Sequence, residues 1–322
     1  MACAACLSAC RSPQSTFEAA GTESDAVNTL FLAMAAGAAL IWLVVMGISL
    51  YATRAHRDAY SERAGIRLIV WGGVAFPVVT LTLLLGFGLA LMPELRRPGD
   101  GPRIAISGER FWWRIFYDTS AEAGVQRSLP RSGVESANEL WLPVGQRSEL
   151  MLGSPDVVHS FWVPALGGKV DMIPGRVTRL VLEPTREGLY NGVCAEFCGT
   201  AHAQMAFRVR VVQPDVFAAY VAAQAAPAAD RPDPGRDAFL AHGCGACHAV
   251  RGTQALGGVG PDLTHLGSRT TIGAAALPMS ADAIARFIAA PGHVKQGVEM
   301  PAFAMVPQGE IASMAAWLEG LK

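Results

Sequence analysis

Charge is the scarcest ingredient of this 322-residue chain. Asp, Glu, Lys and Arg make up 16% of it, against about a quarter in an ordinary soluble domain. Neither sign dominates: 26 basic and 27 acidic residues leave a formal net charge of −1. That balance offers no basic face for a nucleic-acid partner. The shortage is local. Residues 26–53 and 68–93 contain no charged side chain, and each stretch exceeds the roughly 20 helical residues needed to cross a hydrocarbon core about 30 Å thick. No internal repeat is present.

The length argues for two or more folding units. Two transmembrane helices are expected near residues 28–52 and 68–92, with Pro77 kinking the second. Arg54, Arg57, Arg63 and Arg67 between them favour a cytoplasmic loop, although Arg96, Arg97 and Arg103 follow the second helix. A cleaved signal peptide is the rival reading of the first helix; its place behind a polar segment and its pairing with a second helix argue against that. At the N-terminus, Leu7-Ser8-Ala9-Cys10 resembles a bacterial lipobox, which would make Cys10 a lipidation site. The run lacks a basic leader and a long apolar stretch before it, so either the true start lies upstream or the match is chance.

Beyond residue 103 the pattern changes to short apolar runs, such as 148–152, 177–182 and 205–212, broken by Gly167-Gly168 and Pro174-Gly175. This reads as an all-β sandwich or barrel. A short helix is expected over 214–224. A Pro/Ala-rich, semi-rigid linker follows over 225–235, and helix-like segments alternate with Gly-rich loops over 236–322. The expected organisation is therefore 1–25 N-terminal segment, 26–93 transmembrane pair, 94–224 β domain, 225–235 linker and 236–322 helical domain.

The seven cysteines fall into three groups: Cys3, Cys6 and Cys10; Cys194 and Cys198; Cys244 and Cys247. Disulfides are one reading of the last four, but each pair sits inside a metal or haem motif. Cys194, Cys198, His202 and Met205 lie within twelve residues, and His159 stands upstream. Two thiolates, two imidazoles and a thioether form a soft donor set suited to copper. Two cysteines four apart can bridge two metal ions through both sulfurs, with one histidine on each ion. Met205 and a backbone carbonyl are then left as weak axial donors. A single blue-copper site needs one Cys. A zinc site would leave Met205 surplus, and the spacing is not that of a finger.

The runs DVVHSFWVPALGGKVDMIPGR and LYNGVCAEFCGTAHAQM resemble subunit II of cytochrome c oxidase, with its dinuclear CuA centre. The resemblance spans roughly residues 28–213. It implies a two-helix membrane hairpin before a cupredoxin-like all-β barrel. It also implies that His159, Cys194, Cys198, His202 and Met205 ligate copper together with the carbonyl of Glu196. In the family that glutamate's side chain reaches a magnesium ion shared with subunit I. Two departures stand out. Phe111 takes the place of the family's usual electron-accepting tryptophan within the aromatic run of residues 111–117, and Leu68 stands where a glutamate often precedes the second helix.

Cys244-Gly-Ala-Cys247-His248 is a c-type haem attachment motif. Both cysteines would form thioethers, and His248 would be the proximal ligand. Gly260-Pro261-Asp262-Leu263 follows at a suitable spacing, so that the proline carbonyl would accept a hydrogen bond from the histidine. Met300, ahead of Pro301, is the favoured sixth ligand. Met279, Met305 and Met314 are its rivals, with core packing the ordinary reading for Met314. His242, His265 and His293 read as surface or satisfied histidines. This segment resembles a class I cytochrome c domain, all-α, throughout.

Together the resemblances imply a caa3-type oxidase subunit II in a bacterial plasma membrane, multi-pass, with both cofactor domains on the outer side. Its expected partners are subunit I and other oxidase subunits, a cytochrome donor and the lipid bilayer, with no nucleic acid. Two other functions share parts of this pattern: a subunit of a CuA-containing nitric oxide reductase, and a copper-delivery assembly protein.

Overall fold

The computed structural model describes residues 12–54, 61–117, 129–228 and 232–322. The lipobox with Cys10, Arg57 in the interhelical loop, and residues 229–231 of the expected linker lie outside the described residues.

Helices α1 (Thr22–Arg54) and α2 (Glu62–Leu95) form a unit of their own over Ala26–Arg97. Their most apolar windows have mean hydropathies of 2.4 and 2.3, and none of those residues is buried by protein. Burial is what normally stabilises a helix of such composition, and both helices are long and apolar enough to cross a membrane. Glu23 and Asp25 open α1 and Arg54 closes it, each sign placed to complement the helix dipole. Ser61 caps α2 by accepting from the Ala64 amide. The kink expected at Pro77 takes the form of a wider turn: residues Ile69–Ala75 are π-helical, and the Phe76 amide donates to the Trp71 carbonyl. Proline cannot donate, and it crowds the carbonyl one turn back. An extra residue in the preceding turn absorbs that conflict.

The β domain comprises β1 (Arg103–Glu109), β2 (Trp112–Tyr117), β3 (Val134–Ala137), β4 (Glu139–Pro143), β5 (Ser148–Gly153), β6 (His159–Trp162), β7 (Val170–Met172), β8 (Thr178–Leu182), β9 (Gly188–Cys194) and β10 (Ala206–Val212). They make two five-stranded sheets, ordered β3-β2-β1-β5-β8 and β4-β10-β9-β6-β7. The β1–β5 and β4–β10 pairs are parallel, and the other pairs are antiparallel. In β10, Phe207, Val209 and Val211 point inward while the alternate residues are half exposed, the period-2 pattern of a strand with one buried face. Ile104, Ile115, Leu140, Leu150 and Phe161 from both sheets close the core, each contributing about 1.5–3 kcal/mol of burial. The stretch before α1, together with the helix's first residues, is stitched to this domain. The Ala20 amide donates to the Ala165 carbonyl at 2.7 Å and Thr22 to Glu183 at 3.0 Å, while buried Glu23 pairs with Arg147 at 3.3 Å.

Helix α3 (Pro214–Ala225) leads to the helical domain of α4 (Pro234–Ala241), α5 (Ala281–Ala289), α6 (Pro291–Val294) and α7 (Gln308–Gly320), with a two-stranded ribbon of β11 (Thr271–Ile272) and β12 (Leu277–Pro278). Asp233 and Ser280 cap α4 and α5 through their side chains, each worth about 1 kcal/mol. Phe239, Ile284, Ile288, Ile311, Met314 and Leu318 form its core.

Candidate functional site

Strand pairing assembles the first cluster. His159 opens β6 and Cys194 closes β9, and the two strands are neighbours. The loop from Ala195 to Met205 then folds back over them, tied by the Cys194 amide donating to the Met205 carbonyl at 3.0 Å. The Cys194 and Cys198 sulfurs lie 3.9 Å apart. His159 Nδ1 is 3.8 Å from the first sulfur and His202 Nδ1 is 3.6 Å from the second. The Glu196 carbonyl approaches Cys194 Sγ at 3.2 Å, and Met205 Sδ approaches Cys198 Sγ at 3.8 Å. Each sulfur thus has one imidazole and one weak donor beside it. That repeated arrangement fits two soft ions sharing both thiolates, whereas a single tetrahedral ion would leave two donors over. His159, Cys194, Cys198 and Met205 are all buried.

The surroundings prepare the donors. The Asp156 carboxylate meets His159 Nε2 at 3.0 Å and accepts the Arg110 and Val157 amides at 2.8 and 2.6 Å. Burial works against that carboxylate's charge, yet the bonds from His159 and the two amides hold it well below the usual range. An ionised acid behind a ligating imidazole fixes its orientation and tautomer. Burial raises both thiols. At Cys194 the bond to His159 overturns this and favours thiolate; at Cys198 the neighbouring sulfur adds to it and favours thiol. Metal ions would displace the protons that remain. Trp113 lies against the cluster, its indole N–H donating to the Met205 carbonyl at 3.4 Å and its ring centred 6.4 Å from that of His159. The sequence offered one usable hint of Asp156: an acid three residues ahead of a ligating histidine.

The Glu196 carboxylate, 45% exposed, stands 3.9 Å from Lys169 Nζ. Among the described residues the metal-sized grouping is His159, Cys194 and Cys198, and Glu196 is not part of it.

The second cluster surrounds His248. A tight turn at Cys244–Ala246 brings the His248 amide to the Cys244 carbonyl at 3.0 Å. His248 Nδ1 donates to the Pro261 carbonyl at 2.8 Å. Burial, aided by the charges of Arg269 and Arg114 and opposed by the bond to Pro261, pushes the ring's pKa down and disfavours its charged form. With Nδ1 protonated, Nε2 retains its lone pair for iron. Gly260 is required here, since a Cβ would stand 2.5 Å from His248 Cε1. Cys244 and Cys247 are free thiols, as are Cys194 and Cys198. The residues therefore fit a thioether-linked haem. Met300 and Phe303 pack half-buried on this domain's core. Met314 is fully buried within that core, Met279 is half-buried against it, and Met305 is 79% exposed. His242 pairs with Glu310 at 2.7 Å, and buried His265 bonds the Ala226 carbonyl at 3.0 Å.

The two clusters belong to one compact unit, and the helical domain covers the aromatic corner of the β domain. Lys295, 2% exposed, donates to the Phe111 carbonyl at 2.5 Å and to the Gly273 carbonyl at 2.9 Å. Gln204, within the copper-type loop, donates to the Val294 carbonyl at 3.0 Å. Phe111 and Trp113 are both buried, at 5% and 1% exposure, Trp113 within the β domain's own core against Phe161 and Phe207. Nothing in the sequence marked Lys295, because its partners are backbone carbonyls remote along the chain.

The family model described as cytochrome c oxidase subunit II, periplasmic domain, matches residues 117–212, and that for cytochrome c matches 232–322. The chain is 34% identical over 223 residues to cytochrome c oxidase subunit 2 of Alkalihalophilus pseudofirmus, a match spanning 68% of this chain and 61% of that one. It is 30% identical over 198 residues to the protein of that name from Schizosaccharomyces pombe, spanning 56% of this chain and 79% of that one. The crystal structure of the periplasmic domain of subunit II of cytochrome oxidase of Bradyrhizobium japonicum aligns at 30% identity and a TM-score of 0.33, covering 39% of this chain and 94% of that one.

Proposed function

This chain belongs to the cytochrome c oxidase subunit II family, and from that premise we propose that it is the electron-input subunit of a caa3-type oxidase. His159, Cys194, Cys198, His202, Met205 and the Glu196 carbonyl would hold a dinuclear copper centre. Cys244 and Cys247 would tether haem c, with His248 and Met300 as its axial ligands. When bound, the haem would accept one electron from a cytochrome donor, and the copper pair would carry it on towards the haem–copper centre of subunit I. Oxygen reduction belongs to that subunit.

The chain's own residues determine how well this works. Asp156 and Pro261 fix the imidazoles of His159 and His248, so neither needs to rotate when an electron arrives. Burial of the donor set excludes water and limits rearrangement. A magnesium ion shared with subunit I at Glu196 would draw its further ligands from that second chain. Membrane anchoring rests on α1 and α2, with both cofactor domains outside the bacterial plasma membrane because haem c is attached there. A copper-delivery role is disfavoured, since such a protein must surrender its ion and four of these donors are buried.

The observation that carries the proposal is the contact of the helical domain with the β domain beside the copper-type loop, where Lys295 donates to the Phe111 carbonyl and Gln204 to the Val294 carbonyl. The face beside the copper-type cluster is occupied by the chain's own domain. Truncation after Ala223, with copper content matched, should sharply lower oxygen consumption with the native donor, and added soluble cytochrome c should restore it only in part. Equal turnover of the full and truncated complexes would refute the proposed order of transfer.

A further inference from the structure

The two ligand sets are joined through one arginine that neither cofactor motif includes. Arg114, on β2, is 3% exposed. Its Nε and one Nη pair with both oxygens of Glu109 at 2.8 and 3.1 Å, and the other Nη meets Glu135 at 2.5 Å. The Nη that bonds Glu109 also donates across the domain boundary, to the carbonyls of Gly258 at 2.9 Å and Val259 at 3.3 Å. Those carbonyls sit two and three residues ahead of Pro261, the hydrogen-bond partner of His248. The guanidinium lies 4.6 Å over the Trp112 ring. The residue just before it on the strand is Trp113, whose indole bonds the Met205 carbonyl.

A buried cation needs its partners in fixed directions, and arginine's planar fork provides them. Glu109 and Glu135 neutralise the charge and set the plane; the remaining N–H directions then aim at the 258–259 loop. A lysine could satisfy one carboxylate or the loop, but not all three together.

We propose that Arg114 is a positioning residue for transfer between the two centres, clamping the loop that orients His248 onto the strand that carries Trp113. This rests on the functional reading above. The clamp completes a bonded route from His248 through Pro261, the 258–260 backbone, Arg114 and Trp113 to Met205. With both groups bound, one electron would pass along this route from haem to copper, oxidising the one and reducing the other with no bond made or broken. Glu139 adds a second tie, accepting from the amide and hydroxyl of Thr270, both at 2.5 Å. The domain as a whole therefore stays docked without Arg114, and only the loop's register depends on it.

The test uses the complete copper- and haem-loaded complex carrying Arg114→Gln or Arg114→Lys. Two quantities are read: deuterium exchange of the 258–263 amides, and the rate of haem oxidation and copper reduction after photo-injection of an electron at the haem. Arg114→Gln is expected to speed exchange of these amides and to slow transfer tenfold or more, at unchanged copper and haem content. Arg114→Lys should fall between it and wild type. Wild-type exchange and wild-type transfer in Arg114→Gln overturn the proposal while leaving the haem-to-copper order intact. If Arg114→Gln assembles without its cofactors, Arg114→Lys decides: intermediate values support the clamp, and wild-type values overturn it. Absence of haem-to-copper transfer in the wild type would instead overturn the functional reading on which this rests.

Discussion

Lys295→Met should change the stability of the helical domain in a pH-dependent way. The amine is 2% exposed and accepted by two carbonyls, which is as many donors as a neutral amine has. Burial, opposed in part by Cys198, pushes its pKa down from 10.5 to about 7. In the undocked chain the amine keeps its ordinary value. Between pH 7 and 10.5 the undocked state therefore binds a proton that the docked state does not, and docking strengthens as pH rises through that window. The slope approaches about 1.4 kcal/mol per pH unit, so wild type should gain about 2 kcal/mol between pH 7 and pH 9. Below pH 7 both states are protonated and the effect levels off. Methionine has no such term, but it strands two buried carbonyls at about 1–3 kcal/mol each. The two proteins should therefore differ least at pH 7 and diverge towards pH 9, with wild type the more stable. Urea midpoints of the purified full-length proteins, read from haem absorbance at pH 7, 8 and 9, measure this. A gap that is constant or narrows with pH would refute the reasoning.

Three further outcomes follow from the sites. Cys198→Ser should abolish the near-infrared copper band but leave haem attached, because one bridging thiolate cannot hold two coppers close together; an unchanged band would exclude the bridge. Asp156→Asn should weaken copper binding about 10–100-fold in a chelator competition, since the acid that orients His159 loses its charge; unchanged affinity would remove Asp156 from the site. Met300→Ala should lower the haem potential and open the iron to carbon monoxide; wild-type behaviour in both would move the ligand role to Met279 or Met305.

Much of this architecture is local in origin and was legible in the sequence. The uncharged stretches became α1 and α2, and the period-2 run ending at Val212 became β10. The CxxxC and CxxCH spacings marked their clusters because both cysteines and a following histidine of each lie on one short loop, whereas strand pairing brings His159 to the first. The bond from His248 to Pro261 could be expected because thirteen residues separate the two. Arg114, Lys295 and Glu139 were not legible. Each acts on a backbone group more than 130 residues away, and a carbonyl or amide leaves no side-chain signature. The tie on Phe111 belongs with them: residues 111–117 resemble an electron-entry patch, and the Lys295 that holds the Phe111 carbonyl comes from 184 residues away. The π-turn at Ile69–Ala75 was foreseen only as a disturbance near Pro77, because proline fixes where a helix must yield but not how.

The central claim is that a single chain carries a shared copper pair and a tethered haem. Metal analysis of the membrane-extracted protein, combined with a pyridine haemochrome assay, tests it most directly. The account predicts two coppers and one covalently bound haem per chain. One copper, zinc in its place, or haem extractable by acid–acetone would contradict it.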